Sequence, residues 1–257
     1  MNIHPTAVVD QSANIAPDAV IGPYTFIGPG VSIAAGCRID HHVNVEKNTA
    51  IGEGSHVWPF ASLGSDPQDL KFGGEESFLE VGRQVQVREF VTVNRGTLHG
   101  GGTTRVGDNC LLMAYSHVAH DCQLGDHVIM ANAATLGGHV TIEDHVGLGG
   151  LVAVHQFTRI GRYCFVGGLS GVSVDLPPYC LCEGNRAKTH GLNIVGLKRA
   201  GFGNETLEAL KQAYKIVFRT RTPLATALQQ VEGEVPDLPE VRHFVEFIRK
   251  SERGVAR

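Results

Sequence analysis

The sequence predicts a solenoid of short parallel strands followed by a smaller helical domain, and three observations carry this. From Ile3 an aliphatic residue recurs every six places, at 26 positions that all hold Ile, Leu, Val or Met. Four places after each anchor stands a small residue, as at Ala7, Ala13, Ala19, Thr25, Val31 and Cys37. After Pro177-Pro178 the rhythm stops and apolar residues recur at helical spacing. A period of six suits neither an amphipathic helix nor a flat alternating strand. It suits strand-plus-corner units whose anchors and small residues point inward. One coil cannot bury a core alone, but coils stacked about 4.8 Å apart can.

The anchors run from Ile3 to Leu63, resume at Val81, Val87 and Val93, and continue unbroken from Val106 to Val172. Glycine often follows the anchor directly, as at Gly22, Gly28, Gly52, Gly107, Gly125, Gly137 and Gly161, and is expected to relax the corner backbone. The two interruptions, residues 64–80 and 94–105, are polar and glycine-rich and read as loops, the kind of segment that carries function. Asp69 and Lys71 in the first are binding candidates. The solenoid is placed at residues 1–185 and the helical domain at 186–257. In the latter, Leu207, Leu210, Tyr214, Val217 and Phe218 share one face behind an expected N-cap at Asn204. Val241, Phe244, Val245, Phe247 and Ile248 share another behind Pro239. Packed together, these helices would cover the last strand edge of the solenoid.

The formal charge of −4 hides an asymmetry: residues 1–185 hold 9 Lys+Arg against 18 Asp+Glu, a net of −9, and residues 186–257 hold 13 against 8, a net of +5. A basic tail on an acidic body suits an acidic partner or a phosphorylated substrate. No apolar run approaches the roughly 20 residues of a membrane span, and no basic-then-apolar leader precedes the repeat. A cytoplasmic protein with no nucleic-acid partner is the expectation. Cys37, Cys110, Cys122 and Cys164 fall in the small inward slot, so they read as core residues and not as disulfides or zinc ligands. Cys180 and Cys182 lie outside the repeat, with no role assigned.

The hexapeptide rhythm resembles that of the left-handed parallel β-helix acyltransferases, and that resemblance implies three hexads, or 18 residues, per coil. Residues 18 apart would then stack. His120, Gly138 and Gln156 share one column, Asp121, His139 and Phe157 the next, and Ala119, Gly137 and His155 the one before. His117 lies three residues before His120, whereas His41, His42, His56, His127 and His145 lie off this strip. Two chemistries could use such a cluster. A histidine beside a carboxylate can serve as general base near neutral pH. Alternatively, several histidines could hold zinc with an open position for water, as in a β-helix hydratase. Gly138 above His120 favours the first, because it offers a backbone N–H free of side-chain cover to an oxyanion.

Several stretches together resemble the UDP-N-acetylglucosamine O-acyltransferases that begin lipid A synthesis. They are Gln68-Asp69-Leu70-Lys71, Asn94-Arg95-Gly96-Thr97, His117 to Cys122, Val154-His155-Gln156-Phe157, Val166-Gly167-Gly168 and Asn193 to Arg199. The resemblance implies that His120 is the general base, Asp121 its support and the Gly138 N–H the oxyanion donor. It implies that Gln68, Asp69 and Lys71 hold sugar and acyl groups, that His117, His139, His155 and Gln156 line the site, and that Asn193 and Arg199 bind the nucleotide. Gly168 matches an acyl-length ruler, and a glycine there implies a chain of about the 3-hydroxymyristoyl class. The implied partners are an acyl carrier protein bearing a 3-hydroxyacyl chain and UDP-N-acetylglucosamine, in a homotrimer with sites between solenoids, with no cofactor and no metal. Val195 and Ala200 depart from the glutamate and second arginine usual in the nucleotide stretch. The alternatives are transfer to a 3-amino sugar nucleotide, the later N-acyltransferase of the same pathway, the zinc hydratase, and a solenoid without catalysis.

Overall fold

Strands of two to five residues alternate with corners from Asn2 to Leu192 in the computed structural model, which describes residues 2–257. They stack into three sheets of 11, 9 and 8 strands, each visited once per coil, so the body is a three-sided parallel β-helix. In the uninterrupted part the register advances by 18 residues: Leu111 pairs with Ile129, and Ile129 with Gly147. At the excursions it advances further, with His56 opposite Gln86 and Thr92 opposite His117. Every anchor from Ile21 to Val172 is buried, and Ile3, Val9 and Ile15, in the first coil, which has a neighbour on one side only, are half-buried.

The corners differ from the sequence expectation. The residue in left-handed backbone geometry is the third after the anchor, and on one edge it is Tyr24, His42, Phe60, Phe90 and Tyr115 in turn. The glycine directly after the anchor is not at positive φ. It is needed because the next coil passes close by: a Cβ on Gly22 would lie 2.6 Å from the Asp40 carbonyl carbon and 2.7 Å from the His41 nitrogen. A non-glycine residue in left-handed geometry costs about 1–2 kcal/mol. Two interactions along each edge offset this. The corner amide donates to the neighbouring coil, as His42 N does to Pro23 O at 3.0 Å. The side chains also stack, with Phe60–Phe90 and Phe90–Tyr115 centroids 5.1 and 4.9 Å apart.

Both excursions are shorter than the interruptions of the rhythm. Ser62–Ser65 and Phe78–Val81 are strands, so the first loop is 66–77. The second is bounded by strands Thr92–Asn94 and Thr103–Val106 and contains a 3-10 turn at Leu98–Gly100. The boundary at 186 also moves. Cys180–Glu183 continues the first sheet, and Lys188–Leu192 pairs antiparallel with it, closing that edge. The helices follow: α1 Ile194–Arg199, α2 Asn204–Phe218, α3 Leu224–Glu234 and α4 Pro239–Arg249. Gly203, with extended backbone, caps α2, and Asn204 is already its first helical residue. Leu207, Leu210, Tyr214 and Val217 of α2 and Val241, Phe244, Val245, Phe247 and Ile248 of α4 are buried in a core continuous with the solenoid. All six cysteines are buried and unpaired. No helix among the described residues is long and apolar enough to cross a membrane.

Gly22→Ala is expected to destabilise the protein by about 1–3 kcal/mol, because the added methyl meets backbone that must move. Gly191→Ala, whose Cβ would meet nothing within 4 Å, is expected to change stability by less than about 0.5 kcal/mol. Urea unfolding of both variants checks the close-approach account.

Candidate active site

His120, Asp121 and His139 meet at one corner of the solenoid. Asp121 and His139 occupy successive left-handed positions, and His139 N donates to His120 O at 3.0 Å, which locks the two coils in register. The Asp121 side chain is fully buried and accepts three hydrogen bonds: Thr97 N at 2.8 Å, Thr97 Oγ1 at 2.7 Å and His120 Nδ1 at 2.8 Å. A carboxylate only accepts, so Nδ1 of His120 carries the hydrogen, and in the neutral ring Nε2 is left as the basic nitrogen. That nitrogen borders Gly138, where a Cβ would fall 2.7 Å away. The Gly138 N–H has no partner among the described residues. At the regular corners this place makes no ladder bond either, which is why Pro23, Pro29 and Pro59 are accommodated there; Arg95 N, which donates to Ser65 O at the start of the second excursion, departs from this. Gly138 is distinguished by having no side chain beside the imidazole.

Around this corner lies an open cavity of about 470 Å³ lined by Gln68, Asp69, Leu70 and Lys71 of the first loop, His99 of the second, and His120, His139, Gln156 and Phe157 of the coils. His139 stacks on Phe157 at 4.4 Å and meets the edge of His120 at 5.0 Å. Burial, helped by the charges of His120 and His99 and opposed by Asp121, holds the pKa of His139 below the usual histidine range. The Asp69 carboxyl is lowered, chiefly by the Lys71 backbone N–H and further by His120, His99 and Lys71. His120, Asp121 and His139 also place three potential ligand atoms within 4.8 Å of one another, close enough for a metal ion. An ion there would compete with the hydrogen bonds that already occupy the Asp121 oxygens.

Other expected residues lie apart from this cavity within one chain. His117 is half-buried, bonded through Nδ1 to Thr92 Oγ1 at 2.7 Å, and its pKa is lowered by burial and by His120. His155 turns outward, its Nδ1 3.0 Å from Gln156 O and 3.3 Å from Arg253 Nη2. Asn193 caps α1 by accepting from Gly196 N, and with Arg199 it borders a separate cavity of about 440 Å³ beside the stacked His127, His145 and Tyr163. Gly168 lies on the third edge, next to exposed Leu151 and Leu169. Sequence reasoning gave no role to Thr97, which clasps Asp121, or to His99, 3.2 Å from Asp69. It also missed buried Arg95, which binds Gly64 O and Asp66 and so ties the two loops together. The quoted Asn94–Thr97 stretch was the available signal.

A three-sided β-helix of hexapeptide repeats is the fold of the bacterial hexapeptide transferases, and the histidine–carboxylate corner is its candidate site. A family model for bacterial transferase hexapeptides matches residues 103–138, and one described as UDP-N-acetylglucosamine O-acyltransferase, domain 2, matches residues 175–256. The acyl-[acyl-carrier-protein]–UDP-N-acetylglucosamine O-acyltransferase of Thermodesulfovibrio yellowstonii is 49% identical, over 99% of each chain. The enzyme of the same name from an Anaeromyxobacter species is also 49% identical, over the whole of both chains. The solved LpxA structures of Acinetobacter baumannii and Moraxella catarrhalis superpose with TM-scores of 0.97 and 0.98 at 42% identity, covering all of each chain. The fold is therefore the left-handed parallel β-helix. The chain belongs to the acyl-[acyl-carrier-protein]–UDP-N-acetylglucosamine O-acyltransferase family.

A buried histidine with a lowered pKa stays neutral in the folded protein while its unfolded counterpart takes up a proton, so stability falls as pH drops below about 6.5. The urea midpoint is expected to fall between pH 7 and pH 5. His117→Asn, which keeps a hydrogen-bonding group toward Thr92 without the titration, should flatten part of that slope; an unchanged slope would assign it elsewhere.

Proposed function

We propose that the protein transfers a 3-hydroxyacyl chain from acyl carrier protein to the 3-hydroxyl of UDP-N-acetylglucosamine, the first step of lipid A synthesis, with His120 as general base and no metal. The observation that carries this reading is the His120 orientation: Nδ1–H is spent on Asp121, and basic Nε2 is presented to a cavity beside an unpartnered N–H. Nε2 takes the proton of the sugar hydroxyl as its oxygen attacks the thioester carbonyl. The Gly138 N–H receives the resulting oxyanion, collapse expels the carrier thiolate, and the imidazolium returns the proton to sulfur. General-base catalysis is typically worth about 10²–10⁴-fold and one oxyanion donor about 10²–10³-fold. Positioning by the loop residues Gln68, Asp69 and Lys71 and by His139 and Gln156 supplies the remainder.

Nucleotide binding by Asn193 and Arg199, and acyl-chain measurement at Gly168, require edges of the solenoid that do not reach His120 in one chain. A homotrimer supplies them, because a neighbouring copy can bring its own edge against the histidine corner. The exposed apolar column of Tyr115, Leu151 and Leu169 beside Gly168 suits an alkyl chain. Lys198 and Arg199, exposed at the end of α1, suit phosphate or an acidic carrier.

Acyl transfer from 3-hydroxymyristoyl carrier protein to UDP-N-acetylglucosamine, in chelator-treated buffer, is the direct test. Wild-type activity is expected to survive the chelator, and His120→Ala to lose about 10²-fold or more. Loss of wild-type activity on chelation, restored by zinc, would instead support the metal reading of the same cluster. Transfer only to a 3-amino acceptor would change the product from ester to amide. Gly168→Met is expected to shift preference to a shorter acyl chain, and unchanged selectivity would remove Gly168 from the acyl groove.

A further inference from the structure

The 66–77 loop is anchored at its ends and nearly free at its tip. Asp66 is held by Arg95 and by Asn94 Nδ2, which donates to its carbonyl at 2.9 Å, and Asn48 Nδ2 reaches Ser77 O at 3.2 Å. Glu75 Oε1 accepts from Leu98 N at 3.5 Å. For the tip, residues 67–74, the one hydrogen bond or ion pair to the body of the protein among the described residues is Asp69 Oδ2 to His99 Nε2, at 3.2 Å. Leu70, beside Asp69, is fully exposed.

The same His99 nitrogen lies 3.4 Å from Thr97 Oγ1. That hydroxyl spends its hydrogen on Asp121 Oδ2 at 2.7 Å and already accepts from Gly100 N at 3.2 Å, so toward His99 it also accepts. Asp69, a carboxylate, accepts as well. Both neighbours of Nε2 are acceptors, so Nε2 carries a hydrogen, with Thr97 Oγ1 as its hydrogen-bond partner at 3.4 Å and the Asp69 carboxylate in ion-pair contact at 3.2 Å. A continuous polar chain results: Asp69, His99, Thr97, Asp121, His120.

We propose that His99 is a positioning residue that fastens the substrate-binding tip of the first loop to the Thr97–Asp121–His120 system, holding Asp69 over the general base. This rests on the proposed transfer to a sugar nucleotide, and assigns His99 to acceptor binding and not to the proton transfer. The role requires a donor at the Nε2 position but no titration, so glutamine, whose amide nitrogen reaches a similar place, fulfils it and alanine does not.

Hydrogen exchange of residues 66–77 and steady-state transfer kinetics, measured on the full-length protein as wild type, His99→Ala and His99→Gln, test this. His99→Ala is expected to speed exchange at the tip about tenfold and to raise KM for the sugar nucleotide about tenfold, with kcat changed less than about threefold. His99→Gln is expected to restore both. Unchanged tip exchange and KM in His99→Ala would overturn the proposal, as would a glutamine variant as impaired as alanine, or a loss confined to kcat. If the wild-type protein transfers no acyl group, the functional reading fails on its own, and the exchange comparison still decides whether His99 holds the tip.

Discussion

The hydrogen bond between corners of successive coils is the constraint on which the rest of this structure depends. At most corners the residue third after the anchor turns its amide onto the neighbouring coil, to a carbonyl as His139 does to His120 and Phe157 to Gly138, each at 3.0 Å, or to a side-chain oxygen as Asp121 does to Thr104 Oγ1 at 2.7 Å. Making that bond requires left-handed backbone geometry, a local cost that a single coil could not sustain. Repetition makes it sustainable: buried anchors, ladder bonds and stacked corner side chains recur at every level, each coil supporting the next. The side chain at that corner is thrown outward and held in register with the one above.

This explains why chemistry can reside on an otherwise architectural surface. On one edge the corner column is Tyr24, His42, Phe60, Phe90 and Tyr115, and its stacking is structural. On another the same backbone device carries Asp121, His139 and Phe157. There the rigid geometry presents a carboxylate to one imidazole at 2.8 Å and holds another 3.7 Å away. The difference lies in the loops. Thr97 from the second excursion covers Asp121 and excludes water from it, so the aspartate is spent on orientation. No such cover lies over His127 and His145, which stack in the open at 4.6 Å.

Much of the fold was legible because its signal is local: a buried anchor every six residues survives any uncertainty about the coil. The His120, His139 and Gln156 columns were legible because no interruption falls between residues 106 and 172, where the register advances by a constant 18. The excursions break that arithmetic. Thr92 sits opposite His117, 25 residues on, so no fixed spacing brings Thr97 to Asp121 or His99 to Asp69. The corner glycines misled for a different reason. Glycine signals either positive φ or close approach, and only the stacked neighbour, Asp40 over Gly22, tells which. Asn204 looked like a cap because its side chain could cap, but the extended backbone belongs to Gly203.

The separation of His120 from Asn193, Arg199 and Gly168 follows from the same geometry. A three-sided helix offers three edges, and the ladder that makes each edge rigid also prevents it from folding over to reach another. A substrate with a nucleotide, a sugar and a long acyl donor is too extended for one edge. An enzyme on this scaffold gains the missing contacts either by growing loops or by placing a second copy alongside. Here the loops are short: the first spans 66–77 and supplies Asp69 and Lys71, and the second supplies Thr97 and His99. Both are used up in forming the cavity wall nearest His120. On the proposed reading, recognition of the remoter groups falls to the faces of other protomers, which would make assembly part of substrate binding.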